Sequence, residues 1–259
     1  MTPINNMQVY NAGMRKSMLD KLWWIDKIDE SVDTVVDYGC ADGTLLSMVH
    51  EINSDMMLYG YDFNEDMIDL AAENIECGYF SNNYDAVASE AAKNTSVLVA
   101  SSVFHEIENY SQDIAAEYNN IFNNKYKYIA IRDLFISERT YGISDPLTVA
   151  KIRHRFNYDK LQEFEANIGS IDYNENLLQF FLTYRYNENW DREVRENYFP
   201  YTIEQFLNRI PNYYEVVYFE HYTLPFIQRQ VFKDFDVQLR DPTHGKILLK
   251  LKEEFVNKL

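Results

Sequence analysis

Glycine and positive charge are what this chain has least of. Eight glycines occur in 259 residues, where a typical usage of ~7% would give about 18. Lys and Arg total 24 against 41 Asp and Glu, a formal net charge of −17. Such a field repels polyanions at long range and argues against a chain that binds nucleic acid with a whole face. Cysteine is also scarce: Cys40 and Cys77 cannot build a disulfide framework. Neither stands in a Cys-x-x-Cys or Cys-x-x-His pattern, so a reducing compartment and no metal are expected. No window approaches the ~18 uncharged apolar residues of a membrane span. The opening Met1-Thr-Pro-Ile-Asn-Asn lacks a basic stretch followed by an apolar one, so no targeting segment, no membrane and a cytoplasmic location are expected.

What is present is an ordinary globular content, 46% apolar residues, with 21 tyrosines that point to amphipathic surfaces. The charge is uneven. Residues 1–130 hold 7 basic against 21 acidic residues and residues 131–259 hold 17 against 20, so an anionic ligand is better tolerated in the second half.

The first 130 residues alternate helical and strand patterns, as a parallel α/β sheet requires. Residues 12–28 read as an amphipathic helix with Met14, Met18, Leu22, Ile25 and Ile28 at steps of three or four. Strands are expected at 34–38, 57–61, 96–100 and 126–131, with a weak third strand at Tyr84-Asp-Ala-Val87. Helices are expected at 44–52, 65–75 and 112–122. From Ser137 the pattern turns helical (146–168, 174–186, 190–197) and reads as an insertion, residues 137–200, without a large core of its own. A helix at 202–210, opened by a capping box of Thr202 and Gln205, a strand at 214–219, a helix at 225–235 and a last strand at 246–251 complete the pattern. The expected units are therefore a main domain of residues 1–136 and 201–259 and a helical insertion of 137–200.

Val35-Val-Asp-Tyr-Gly-Cys-Ala-Asp-Gly-Thr-Leu45 is a strand entering a tight glycine turn and then a helix. Such a turn presents backbone N–H groups to a ligand, with glycine where a Cβ would block approach. The second strand ends at Asp62, nineteen residues after Gly43, where an acid accepts ribose hydroxyls in nucleotide-binding α/β folds. Against a dinucleotide fingerprint, Thr44 stands at the third glycine position and Asp42 brings a carboxylate to a pyrophosphate. A cationic or zwitterionic ligand without phosphates fits this loop better.

Asp37-Tyr-Gly-Cys-Ala-Asp-Gly43 resembles the first motif of the class I S-adenosylmethionine-dependent methyltransferases, (D/E)-x-G-x-G-x-G, with Ala41 in place of the middle glycine. Tyr59-Gly-Tyr-Asp-Phe-Asn64 resembles their second strand, and Ser96-Val-Leu-Val-Ala-Ser-Ser-Val-Phe-His-Glu106 their fourth. The resemblance implies a Rossmann-like three-layer α/β/α sandwich with a mostly parallel seven-stranded sheet, an antiparallel last strand and the helical insertion after strand five. It implies S-adenosyl-L-methionine as cofactor, lined by Gly39, Cys40, Ala41 and Gly43. Asp37 would orient the loop or meet the amino group, Asp62 would hold the ribose, Phe63 would lie near adenine, Asp85 near the adenine amino group, and Ser101 and Ser102 at the strand tip. Beside this, Asp37 also has a plainer reading as a turn cap, and Cys40 and Phe63 as core.

The loop after strand four has no (D/N/S)-P-P-(Y/F) sequence and neither cysteine follows a proline, which leaves an O or N acceptor and a proton to manage. His105, with an ordinary pKa of about 6.5, is the candidate base, and Glu106 would orient it or act as the catalytic group itself. The plainer reading makes His105 a helix-start residue. His244, just before the last strand, reads as a turn residue. The insertion carries arginines among aromatics, and Arg139, Arg153 and Tyr184 are the candidate acceptor grip, for a small molecule under a lid or, alternatively, for a nucleotide or RNA. A regulatory or protein-interaction module that binds the cofactor without catalysis is the reading of another class. The sequence leaves the oligomeric state open.

Overall fold

The computed structural model describes residues 17–256. The chain alternates β1 (Thr34–Tyr38), α1 (Thr44–Ile52), β2 (Met57–Tyr61), α2 (Glu65–Asn74), β3 (Tyr79–Ser81), α3 (Tyr84–Glu90), β4 (Ser96–Ser101), α4 (Phe104–Tyr110), α5 (Ile114–Asn123) and β5 (Tyr128–Leu134). Helices α6 (Pro146–Arg155), α7 (Tyr158–Asn167), α8 (Asn174–Thr183) and α9 (Trp190–Glu193) follow. Then come α10 (Ile203–Leu207), β6 (Tyr214–Tyr222), α11 (Pro225–Phe235), β7 (His244–Leu251) and α12 (Glu253–Val256). The seven strands form one sheet in the order β3-β2-β1-β4-β5-β7-β6. β7 runs antiparallel to both neighbours and β1 to β5 are parallel. This is the doubly wound arrangement expected, with its chain reversal between β1 and β4 opening a crevice at the strand C-termini.

Local chemistry explains the elements. All five residues of β1 and all six of β4 are buried, as central parallel strands covered on both faces must be. Asn64, Asn83, Asp113, Asp145 and Asn157 each accept a backbone N–H of the helix they precede, and the Thr202–Gln205 capping box is present.

Three expectations are corrected. The Tyr84–Val87 segment is the first turn of α3, because Asn83 caps it through Asp85 and Ala86 N–H; the third strand is Tyr79–Ser81 and pairs with β2. Of the expected 12–28 helix, residues 12–16, Met14 among them, lie outside the described residues; the rest is helical over 17–21, then gives a turn and a short 3₁₀ segment at Ile25–Lys27. The insertion does have a core. Val149, Ile152, Phe164, Phe180, Trp190 and Val194 join Ile227, Val231 and Phe235 of α11 in one buried cluster, because the apolar faces of four short helices have no other surface to cover. Part of the tyrosine content is interior: Tyr38, Tyr84, Tyr126, Tyr128, Tyr184, Tyr198, Tyr201 and Tyr214 are buried. No helix among the described residues is long and apolar enough to cross a membrane.

Candidate active site

The turn after β1 is built by backbone geometry. Gly39, Ala41 and Gly43 all take positive φ, at +83°, +46° and +76°. A Cβ on Gly39 would stand 2.8 Å from Val103 Cγ2, and one on Gly43 would meet Ala71 of α2 at 3.2 Å, so these two glycines fix both the turn and the helix packing. Ala41 adopts the left-handed conformation that the missing middle glycine would take freely, at a cost of roughly 1 kcal/mol. Gly39 and Cys40 donate their N–H groups to Tyr61 O at 2.7 and 2.9 Å, tying the turn to the β2 tip.

Asp62 stands at that tip, 8% exposed. Its Oδ2 accepts the Ala41 N–H at 3.0 Å and its Oδ1 the Asn64 N–H at 2.9 Å, so the carboxylate is fixed beside the turn while retaining lone pairs. Burial raises its pKa against those two bonds. Asp42 turns back to accept Thr44 N–H and Oγ1–H at 3.1 and 2.6 Å. Asp42 thereby takes the first N–H of α1 and sets a carboxylate at that N-terminus, which would repel a phosphate there.

Asp37 is buried under this turn, its carboxyl pushed up to about 7 by burial and by Asp62 against the pull of Lys21. Lys21, equally buried, is pushed down to about 8 by burial and by Arg132. Cys40 is buried, and burial with Asp37 and Asp62 nearby raises its thiol far above the ordinary range, so it packs rather than reacts. Phe63 is 62% exposed, a flat apolar face next to Asp62. Asp85 is exposed inside the first turn of α3, behind the cap Asn83, and the β3 tip itself is Ser81-Asn82-Asn83.

At the β4 tip Ser102 takes φ +63°, donates its N–H to Arg132 O at 2.7 Å and receives Arg132 Nη1 on its hydroxyl at 2.9 Å. Such strain persists only where neighbours impose it. Arg132 is buried, and its Nε lies 3.0 Å from Asp20 Oδ2. Asp20 also receives Lys246 Nζ at 2.7 Å and the Tyr222 hydroxyl at 2.5 Å. Ser101 Oγ is buried without a partner among the described residues.

His105 meets an obstacle as a base. Its Nδ1 lies 2.5 Å from Asp133 Oδ1 and its Nε2 3.3 Å from Glu196 Oε1, all three side chains buried. Burial alone would lower its pKa, but the two carboxylates outweigh it and hold the ring well above 6.5. At neutral pH both nitrogens therefore carry protons, and no lone pair is left to accept another. Asp133 accepts in addition the N–H groups of Val103, Phe104 and Leu134, which pins the start of α4 to β5. Glu106 receives Arg192 Nη2 at 3.0 Å. Ligand atoms of His105, Glu106 and Glu196 gather within 4.8 Å, but the Arg192 guanidinium lies 3.0 and 3.4 Å from the two glutamates and brings the positive charge a metal would supply. Glu193 is pushed up to about 7 by burial and Glu196. This network fastens the insertion to the sheet.

Of the expected acceptor grip, Arg153 pairs with Glu165 and Asp172 at 2.8 and 3.4 Å. Tyr184 is buried among Phe156, Phe180 and Phe235, with its hydroxyl on Asp234. Arg139 is exposed in the Glu138–Thr140 turn. The geometry thus engages Arg153 and Tyr184 within the insertion and leaves Arg139 at the surface. Sequence reasoning missed Asp20, Lys21, Arg132, Asp133, Glu196 and His244. The available signal was a charged pair, Arg132-Asp133, closing an otherwise apolar strand.

A sheet of this order, with a glycine turn after β1 and acids closing β1 and β2, defines the class I Rossmann-like methyltransferase fold. Residues 29–139 match the family model described as a methyltransferase domain. That stretch, under half of the chain, is similar to a methyltransferase domain, a class whose methyl donor is S-adenosyl-L-methionine. A solved S-adenosylmethionine-dependent methyltransferase from Anabaena variabilis shares the fold at a TM-score of 0.52 and 10% identity, over 92% of this chain and 85% of that one. The plantazolicin methyltransferase BpumL with S-adenosylhomocysteine (TM-score 0.49, 14% identity, 94% and 89% covered) and the MccD protein (0.49, 10%, 91% and 96%) are more remote. None of the proteins of curated function matches the chain.

Proposed function

We propose that this protein transfers the methyl group of S-adenosyl-L-methionine to an oxygen or nitrogen of a small molecule held between the strand C-termini and the helical insertion. The observation that carries the reading is Asp62, held by Ala41 and Asn64 N–H groups beside a glycine turn. The α1 N-terminus there already carries the Asp42 carboxylate on its first N–H. That combination suits a ribose-bearing ligand with a cationic, phosphate-free tail. Gly39, Cys40, Ala41 and Gly43 would line its amino-acid part, Asp37 would face its charge, Asp62 would accept the ribose hydroxyls and Phe63 would cover the base. Ser81 to Asn83, at the β3 tip, stand closer to that role than Asp85.

Direct displacement at a sulfonium asks the protein mainly for positioning and for one proton acceptor. The nucleotide or RNA alternative loses support from the insertion's cations, since Arg153, Lys151 and Arg192 are engaged with Glu165, Asp236 and Glu106. Calorimetry with S-adenosylhomocysteine, followed by labelled-methyl transfer to pools of small molecules, RNA and protein, tests the reading. Methyl label confined to RNA would replace the small-molecule acceptor.

A further inference from the structure

Paired residues in neighbouring strands face the same side of a sheet, and successive residues alternate. Asp37 pairs with Val99, Ser101 with Arg132, and Leu134 and Tyr222 both with His244. Counting along these registers puts Asp37, Ser101, Arg132 and His244 on one face, at the C-terminal end of the parallel strands. Asp133, and with it His105, belongs to the other face. The side chains that bridge this face run continuously. Ser102 is bonded to Arg132, Arg132 to Asp20, Asp20 to Tyr222, and the Tyr222 ring lies 5.7 Å from that of His244.

His244 is 2% exposed. Its Nδ1 lies 2.8 Å from Thr243 Oγ1, and its Nε2 has no partner among the described residues. The charged groups that act on it are Arg132 from β5, Arg185 beyond α8, His105 from α4 and His221 from β6. With burial they hold the imidazole well below 6.5, so it is neutral at pH 7. Arg185 donates Nε to Leu182 O at 3.3 Å and stacks on Tyr186 and Phe226. Its terminal nitrogens bond no described residue. The unpartnered Ser101 hydroxyl belongs to the same face.

We propose that His244 is the catalytic base and that the acceptor is an acidic hydroxyl, a phenol or an enol. The proposal rests on the methyltransferase reading above. With Nδ1–H donated to Thr243, Nε2 takes the hydroxyl proton. The acceptor oxygen then bonds the methyl carbon, and the carbon–sulfur bond breaks with its electron pair passing to sulfur. The products are a methyl ether, S-adenosylhomocysteine and an imidazolium. Arg185 holds the oxyanion as it forms. A neutral amine acceptor forms no oxyanion for Arg185 to stabilise, which is why this surrounding favours oxygen.

The test uses 4-nitrophenol as the probe, with the full-length protein saturated by S-adenosylhomocysteine. Bound probe is expected to ionise with its midpoint lowered by about one pH unit, a tenfold change, read from the phenolate absorbance. Arg185→Gln should remove at least half of that shift, and His244→Gln should lower methyl transfer to the probe at least tenfold, while S-adenosylhomocysteine affinity holds in both. Nitrogen-15 shifts of wild-type His244 need no variant: a neutral, Nδ1-protonated ring is expected from about pH 6 to 8. An imidazolium in that range, a probe that does not bind at millimolar concentration, or undiminished methyl transfer in His244→Gln overturns the proposal. Absence of S-adenosylhomocysteine binding would instead sink the methyltransferase reading itself.

Discussion

Replacing His105 with alanine should damage stability far more than any surface change, because it strands two carboxylates. Asp133 and Glu196 are 1% and 2% exposed at their side chains, and the imidazolium between them lies 2.5 Å from one and 3.3 Å from the other. Removing one partner of a buried ion pair costs about 3–5 kcal/mol, the uncompensated charge being the larger part. At roughly 2 °C per kcal/mol for a chain of this size, the unfolding midpoint should fall by about 6–10 °C. The pH dependence gives the sharper test. A histidine whose folded pKa is raised contributes its full stabilisation below the unfolded value, near 6.5, and loses it as pH rises through the folded value. Asp133, held low by His105 against the burial that alone would raise it, contributes above the carboxylate range and loses that contribution as pH falls. The gap between wild type and His105→Ala should therefore be widest between about pH 4 and 6.5 and narrow on the alkaline side. Urea unfolding across that range measures it. A gap below about 1 kcal/mol, or one that widens with rising pH, would refute the imidazolium assignment.

Three further outcomes follow from the same geometry. Ala41→Gly relieves a left-handed alanine and should be neutral or stabilising by up to about 1 kcal/mol, whereas Gly39→Ala drives a Cβ into Val103 and should cost more than that; thermal melts compare them. Asp20→Ala leaves Arg132 and Lys246 without their shared carboxylate and should cost about 3 kcal/mol near pH 7. Burial alone would raise the Asp20 pKa, but Arg132 and Lys246 hold it low, so this loss should shrink as pH falls through the carboxylate range, and a loss independent of pH would contradict the pairing. Arg153→Ala removes an exposed pair with Glu165 and Asp172 and should change stability by under about 1 kcal/mol and methyl transfer not at all; a large drop in transfer would return Arg153 to the acceptor site.

The strands with β-branched, apolar runs and the turn at Gly39 to Gly43 were legible because their causes are local: periodicity, positive φ and a capping pattern. β3 was not, since Tyr79-Phe80-Ser81 is too short to show a period and is defined by its pairing with β2. Asp62 stood out because an acid at a strand tip has a local signature. The roles of the histidines did not, because they depend on long-range partners. His105 is set by Asp133 and Glu196, 28 and 91 positions away, and His244 by Arg132 and Arg185. The insertion's core was hidden for the same reason, part of it arriving from Leu224 to Leu239, in and around α11.

Titration calorimetry of wild type and Asp62→Ala with S-adenosylhomocysteine tests the central claim most directly. The account predicts binding of the wild type and a loss of about 10- to 100-fold in the variant, the worth of charge-assisted hydrogen bonds to two ribose hydroxyls. Equal affinities in the two proteins, or no heat from the wild type at about 100 μM ligand, would contradict it.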